Sequence, residues 1–154
     1  MALTPMMTQY LATKEKHKDA ILFYRLGDFY ELFFEDAIKC SKLLDITLTG
    51  KDCGLETRAP MCGVPYHAVE SYVGKLIENG EKVAICEQLT VPEKGKIVER
   101  DVVRIITPGT VFEDSMLDEG KNNYICSIFK KDFNIGVSYA DITTGDFYTF
   151  EFIE

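Results

Sequence analysis

The sequence predicts an α/β (α+β) fold: a mixed β-sheet flanked by helices, followed by a three-stranded antiparallel meander that begins a second, truncated domain. Three observations carry this. Strand-like apolar runs alternate with segments of helical period over the first 110 residues, the pattern of a sheet covered by helices. After Gly109 the texture changes to an acidic stretch and then to three β-type runs at short intervals. A lone three-stranded meander is a poor domain, so these runs read as the start of a further one. The predicted boundaries are 1–110 for the first domain, 111–122 for an acidic linker, and 123–154 for the first strands of the second.

In chain order, Thr4-Pro5 offers an N-cap followed by proline at the first helical position. Met6, Met7, Tyr10 and Leu11 recur at helical spacing until His17. Residues 20–26 form a near-continuous apolar run, a central strand. At Gly27-Asp28 the run breaks, and the chain is predicted to restart as a helix over residues 29–44. Asp28 would be its N-cap and Glu31 the third residue of a capping box. Phe33, Ala37, Cys40 and Leu44 would make the buried stripe, widened by Tyr30, Phe34 and Ile38, with Glu35 and Lys39 as an exposed i,i+4 pair.

Residues 46–49 alternate as a strand and lead into a polar loop, 50–59, that contains Lys51 and Arg58. Residues 60–67 read as a short strand and turn. Residues 68–79 read as a helix burying Val69, Tyr72, Val73, Leu76 and Ile77, and Asn79-Gly80 ends it. Strands follow at 82–89 and 99–107, separated by a charged turn at 92–96. The tail strands fall at 124–130, 135–142 and 147–153, with hairpin turns at 131–134 and 143–146.

Composition narrows the functional classes. The 154 residues are 46% hydrophobic and 12% aromatic, ample for a packed core and unlike a disordered chain. No apolar run approaches the ~20 residues that cross a bilayer, and the N-terminus lacks a signal-peptide layout. Five dispersed cysteines, none in C-x-x-C, read as reduced residues of a cytoplasmic protein. Only His17 and His67 are present, so a zinc site is not expected. The net charge of −8 is uneven. Residues 1–110 hold 14 Lys/Arg against 16 Asp/Glu, net −2, and residues 111–154 hold 3 against 9, net −6. A nearly neutral first part can still present a basic strip to nucleic acid.

Several motifs carry a resemblance. Residues 23–33, FYRLGDFYELF, are followed by GVPYHAVESYVGKLIENGEKVAICEQ and then VVRIITPGT. Together these resemble the N-terminal mismatch-recognition domain of the MutS family of bacterial DNA mismatch repair proteins, over about residues 4–110. The tail, with its run Ala140-Asp141-Ile142-Thr143-Thr144-Gly145, is similar to the start of that family's connector domain, which the resemblance implies is RNase H-like. The family's Phe-x-Glu motif maps onto Phe29-Tyr30-Glu31. The resemblance implies that Phe29 enters the minor groove and stacks on a mispaired or unpaired base, that Glu31 hydrogen-bonds to it, and that the DNA kinks there. It also implies double-stranded DNA with mismatches or small insertion/deletion loops as the ligand, and a cytoplasmic, nucleoid-associated location. For the full-length protein it implies an ATPase using ATP and Mg, dimerisation and a MutL-type partner. This segment contains no G-x-x-x-x-G-K-[ST] loop, so no enzyme activity and no cofactor is expected in it.

Each role has a plainer alternative. Phe29 could be a core aromatic, but Phe33 and Phe34 already serve the buried face. Glu31 could simply cap the helix. A carboxylate in the minor groove meets mainly acceptors and phosphates, so it gains only from a base N–H freed from pairing or by being protonated itself. Tyr30 is expected to pack inward. Lys51 and Arg58 are either solvated loop charges or phosphate contacts that position the duplex. Gly27 and Asp28 at the corner are further candidate backbone contacts, as are Tyr66 and His67 before a helix N-terminus. Two rival functions stand beside the DNA reading. One is a protein-interaction scaffold using the acidic tail. The other is a metal-dependent nuclease built from Asp28, Glu31, Glu35 and Asp36.

Overall fold

The computed structural model describes residues 2–91, 97–108 and 122–153. The predicted turn at 92–96 and nearly all of the connector at 111–122 lie outside the described residues. The chain divides into two compact units, Met1–Pro108 and Gly109–Glu154. Among the described residues no helix is long and apolar enough to cross a membrane.

The first unit begins with helix α1, Pro5–Lys16, whose first turn is closed as the sequence predicts: the Met7 N–H donates to the Thr4 hydroxyl at 3.3 Å, and Pro5 fills the first position. Strand β1, Ile21–Leu26, follows. Here the structure departs from the sequence reading. The Phe29–Phe33 segment is not the first turn of a helix but strand β2, antiparallel to β1 with Leu26 opposite Phe29. Gly27-Asp28 is therefore a two-residue hairpin loop. Gly27 sits at φ 62° and Asp28 is not in the left-handed region, the pattern of a type II′ turn with glycine first. Asp28 caps nothing, and the capping box with Glu31 does not exist.

Helix α2 spans Phe34–Leu43 and starts without a side-chain cap. The strand passes into it through Phe34 at φ 54°, a conformation uncommon for a bulky residue. The expected Glu35–Lys39 pair does not form, because Lys39 reaches across to Glu81 at 2.7 Å. Strand β3, Thr49–Lys51, starts later than predicted and pairs with β4, Ala59–Pro65. A single 3₁₀ turn, Tyr66–Ala68, leads into α3, Val69–Glu78, and strands β5, Val83–Gln88, and β6, Arg100–Ile106, complete the unit.

The six strands form one mixed sheet in the order β3-β4-β2-β1-β5-β6, in which β1 and β5 are parallel and the other pairs antiparallel. Alternation along the strands sorts the core into two layers. Leu22, Tyr24, Phe33, Ala84 and Cys86 pack with Met7 and Tyr10 of α1. The residues of opposite parity, among them Phe23, Tyr30, Leu32, Cys62 and Val64, are equally buried, and α2 and α3 contact β2, β4 and β5. A buried carboxylate ties three elements together: Asp36 of α2 accepts from the Leu22 N–H at 3.0 Å and from the Lys14 ammonium of α1 at 2.9 Å.

The second unit is an antiparallel sheet in the order β7-β8-β9: Tyr124–Lys131, Asn134–Asp141 and Phe147–Ile153. The predicted strands and both hairpin turns stand within a residue or so. Asp141 ends β8, where its carboxylate accepts from the Thr143 hydroxyl, the Thr143 and Asn123 N–H groups and the Asn122 amide. These donors, the Thr143 hydroxyl foremost, hold the carboxyl well below the usual carboxylate range.

Candidate nucleic-acid interface

A strand presents residues i and i+2 on one face. As β2, Phe29-Tyr30-Glu31 therefore puts Phe29 and Glu31 side by side and turns Tyr30 to the other layer, an arrangement a helix could not give at this spacing. Burial follows: Phe29 is 47% exposed and Tyr30 4%, while the Glu31 side chain keeps 15% of its surface. Tyr30 behaves as the sequence reading expects, as a core residue. Its ring lies edge-on to Phe23 and its hydroxyl donates to the Glu87 carboxylate. Burial first, and Glu87 second, push its pKa up to about 12.

The corner that carries Phe29 is fixed from several sides. The Gly27 N–H donates to the Gln88 side chain at 2.8 Å, and the Gly27 carbonyl accepts from the Arg25 guanidinium. Arg25 also lies over the Tyr66 ring at 4.0 Å and within 3.7 Å of the Glu87 carboxylate. The Asp28 carbonyl accepts the Tyr66 N–H at 2.9 Å. Phe29 thus projects from a hairpin bound on both sides, where little conformational entropy remains to be lost on meeting a ligand.

Glu31 is not free. Its carboxylate holds the Lys51 ammonium at 2.5 Å, and Lys51 also lies 5.9 Å from the centre of the Phe33 ring. Lys51, read from the sequence as either a solvated charge or a phosphate contact, is the counter-ion of Glu31 in this structure. A partly exposed pair of this kind stabilises the fold by at most about 1 kcal/mol; its larger effect is to fix where the carboxylate points.

The other candidate residues divide by position. Tyr66 and His67 are exposed, with the His67 ring edge-on to Tyr66, and they follow Pro65, the partner of Phe29 on β4. They and the Gly27-Asp28 loop lie at the Phe29 end of the sheet. Arg58 is exposed at the opposite end of β4, beside Ala59. With six residue steps from Ala59 to Pro65 at ~3.3 Å each, that is about 20 Å along the strand, so Arg58 is not part of the Phe29 cluster. The nuclease grouping loses its geometric basis. Glu31 is on a strand and Glu35 on the following helix, so they share no helix face, and Asp36 is occupied by Lys14 and the Leu22 N–H.

Sequence reasoning missed Arg25 and Gln88 as the braces of the corner, and Gly63, which lies opposite Glu31 on β4. The alternation in Phe-Tyr-Glu was the available signal for the faces of these three side chains alone, once the segment is a strand.

Comparison with known proteins adds an independent line. A family model described as MutS domain I matches residues 4–115. A protein named DNA mismatch repair protein MutS from Lachnoclostridium phytofermentans is 62% identical over 150 residues, covering 97% of this chain and 16% of that protein. Those of Acetivibrio thermocellus and Clostridioides difficile are 62% and 61% identical, covering 95% and 94% of this chain and 17% and 15% of their own lengths. The chain therefore spans about a sixth of the length of these relatives. With that match along most of its length, the chain belongs to the MutS domain I family.

Proposed function

We propose that this segment is the mismatch-sensing DNA-binding part of a mismatch repair protein, with Phe29 as the stacking wedge and Glu31 as the group that meets the displaced base. It binds and does not catalyse. The observation that carries the reading is the pairing of a half-exposed phenylalanine with a carboxylate on one face of a braced hairpin, in a unit whose other phenylalanines, Phe23, Phe33 and Phe34, are buried or partly buried. An apolar wedge between base steps costs a few kcal/mol of unstacking, offset by the contacts a kinked duplex makes. Mispaired steps are already weakened and flexible, so the cost is lower there. Glu31 repels ordinary minor-groove acceptors and phosphates and gains from a base N–H released from pairing. That opposes normal duplex as much as it favours a mispair.

Gly27, Asp28, Tyr66 and His67, clustered at the same end of the sheet, are proposed as backbone contacts, with Lys51 and the more distant Arg58 as phosphate contacts. Residues 123–154, after the acidic linker 111–122, are proposed as the first strands of an RNase H-like connector domain. ATP hydrolysis with Mg, dimerisation and a MutL-type partner are proposed for the whole protein and not for this segment.

Two experiments test the reading. In a protein of the relatives' length, Phe29→Ala should remove stacking worth ~1–3 kcal/mol per base, about 5- to 150-fold in affinity. Most preference for a mispaired over a matched duplex should go with it, while weak binding to matched DNA persists. Glu31→Gln should instead improve binding to matched duplex, since it removes the charge and adds a donor. Unchanged preference in folded Phe29→Ala would refute the wedge. For the boundary, a chain ending at Pro108 should melt cooperatively by circular dichroism. An unfolded product would mean that the second unit completes the first core.

A further inference from the structure

We infer that Gly63 is a specificity-determining residue: the bare floor across which a base must pass to touch Phe29 and Glu31 together. The inference rests on the proposed function. On β4, Pro65 lies opposite Phe29 and Gly63 opposite Glu31, so by the pleat Gly63 faces the same way as both. A Cβ added at Gly63 would stand 3.8 Å from Cδ1 of Phe29, 3.6 Å from Cγ of Glu31 and 3.3 Å from the Tyr30 carbonyl oxygen. The position is the notch between the two side chains.

Glycine is not required there by the backbone, because Gly63 is absent from the residues with positive φ. The sheet makes one demand at this position, since the Tyr30 carbonyl oxygen would have to give by a few tenths of an ångström to admit a Cβ; otherwise glycine weakens a strand interior and leaves nothing to pack. A strand glycine often marks a place where a ligand or another backbone comes close, and Gly63 has the Tyr30 backbone beside it and the space between Phe29 and Glu31 above it. A base that stacks on the Phe29 ring and reaches the Glu31 carboxylate has its edge over this notch. A side chain at residue 63 would fill the notch between Phe29 and Glu31 and lift the base from the carboxylate.

The test compares Gly63→Ala and Gly63→Val with Phe29→Ala in a protein of the relatives' length, by titration with duplexes carrying one unpaired base and with matched duplexes, beside thermal melts. Valine suits a strand and relieves glycine's entropy cost, which offsets the few tenths of an ångström that the Tyr30 carbonyl must give, so melting should hold within about 5 °C. Preference for the unpaired base should fall by about fivefold or more in Gly63→Val, the lower end of what base stacking gives, and by less in Gly63→Ala, with matched binding unchanged. Stability retained while discrimination is lost is a signature that a packing role would not produce. A folded Gly63→Val with wild-type preference would overturn the inference, as would equal loss on both duplexes or unfolding of both variants. If Phe29→Ala removes the preference and Gly63→Val does not, only the Gly63 inference fails. If Phe29→Ala keeps it, the wedge reading itself fails.

Discussion

Phe29 and Phe33 occupy the same face of the same strand, four residues apart, yet one is 47% exposed and the other 1%. The difference lies in what covers them. Phe33 sits beneath α1, with the Tyr10 ring edge-on at 4.8 Å and the Tyr10 hydroxyl 3.5 Å from its carbonyl oxygen. Phe29 lies at the hairpin end, where the neighbours on its face are Leu26, Pro65 and the bare Gly63. The extent of α1 thus divides one sheet face into a core and an open surface. Two identical side chains in the same β-strand acquire opposite exposures from that division.

The division predicts a large asymmetry in stability. Phe33→Ala should cost ~3–5 kcal/mol, the range for emptying a core aromatic site, and Phe29→Ala less than ~1 kcal/mol, as for an exposed position. Urea unfolding of the two variants measures both. Comparable losses would mean that Phe29 is also core, and the distinction between the two ends of β2 would collapse.

The same contrast explains what could be read from the sequence. The apolar runs of β1, β4 and β5, the Thr4-Pro5 cap of α1 and the three strands of the second unit are visible because local pattern and tertiary role agree. Over residues 28–34 they do not agree. Asp28 and Glu31 imitate a capping box, and Tyr30, Phe33, Phe34 and Ala37 fit a helical stripe. What decides is pairing on both edges: β2 is hydrogen-bonded to β1 and to β4, with Glu31 opposite Tyr24 on one side and Gly63 on the other. The second partner lies some thirty residues away, beyond the reach of any local pattern. The Glu31–Lys51 pair was hidden for the same reason, since it bridges 20 residues of chain. The motif resemblance singled out Phe29 and Glu31, and the strand geometry places them side by side on one face.

The smallest expected effect concerns Lys51, which separates positioning of Glu31 from ordinary phosphate binding. Lys51→Met removes one ammonium, and the fold should lose no more than about 1 kcal/mol, as for other partly exposed pairs. A lysine acting on phosphate alone would weaken matched and mispaired duplexes alike and lower the salt dependence by about one counterion. Lys51 is bound to Glu31, so its removal should also leave the carboxylate without a counter-ion near the groove. Matched duplex should then be repelled more than mispaired duplex, where a freed base N–H compensates, and the preference should widen. In the Glu31→Gln background there is no carboxylate to expose, and Lys51→Met should weaken both duplexes equally. A double-mutant cycle on the two duplexes reads this coupling directly. A coupling of zero would mean that the ion pair has no part in discrimination and that Lys51 serves the phosphates alone.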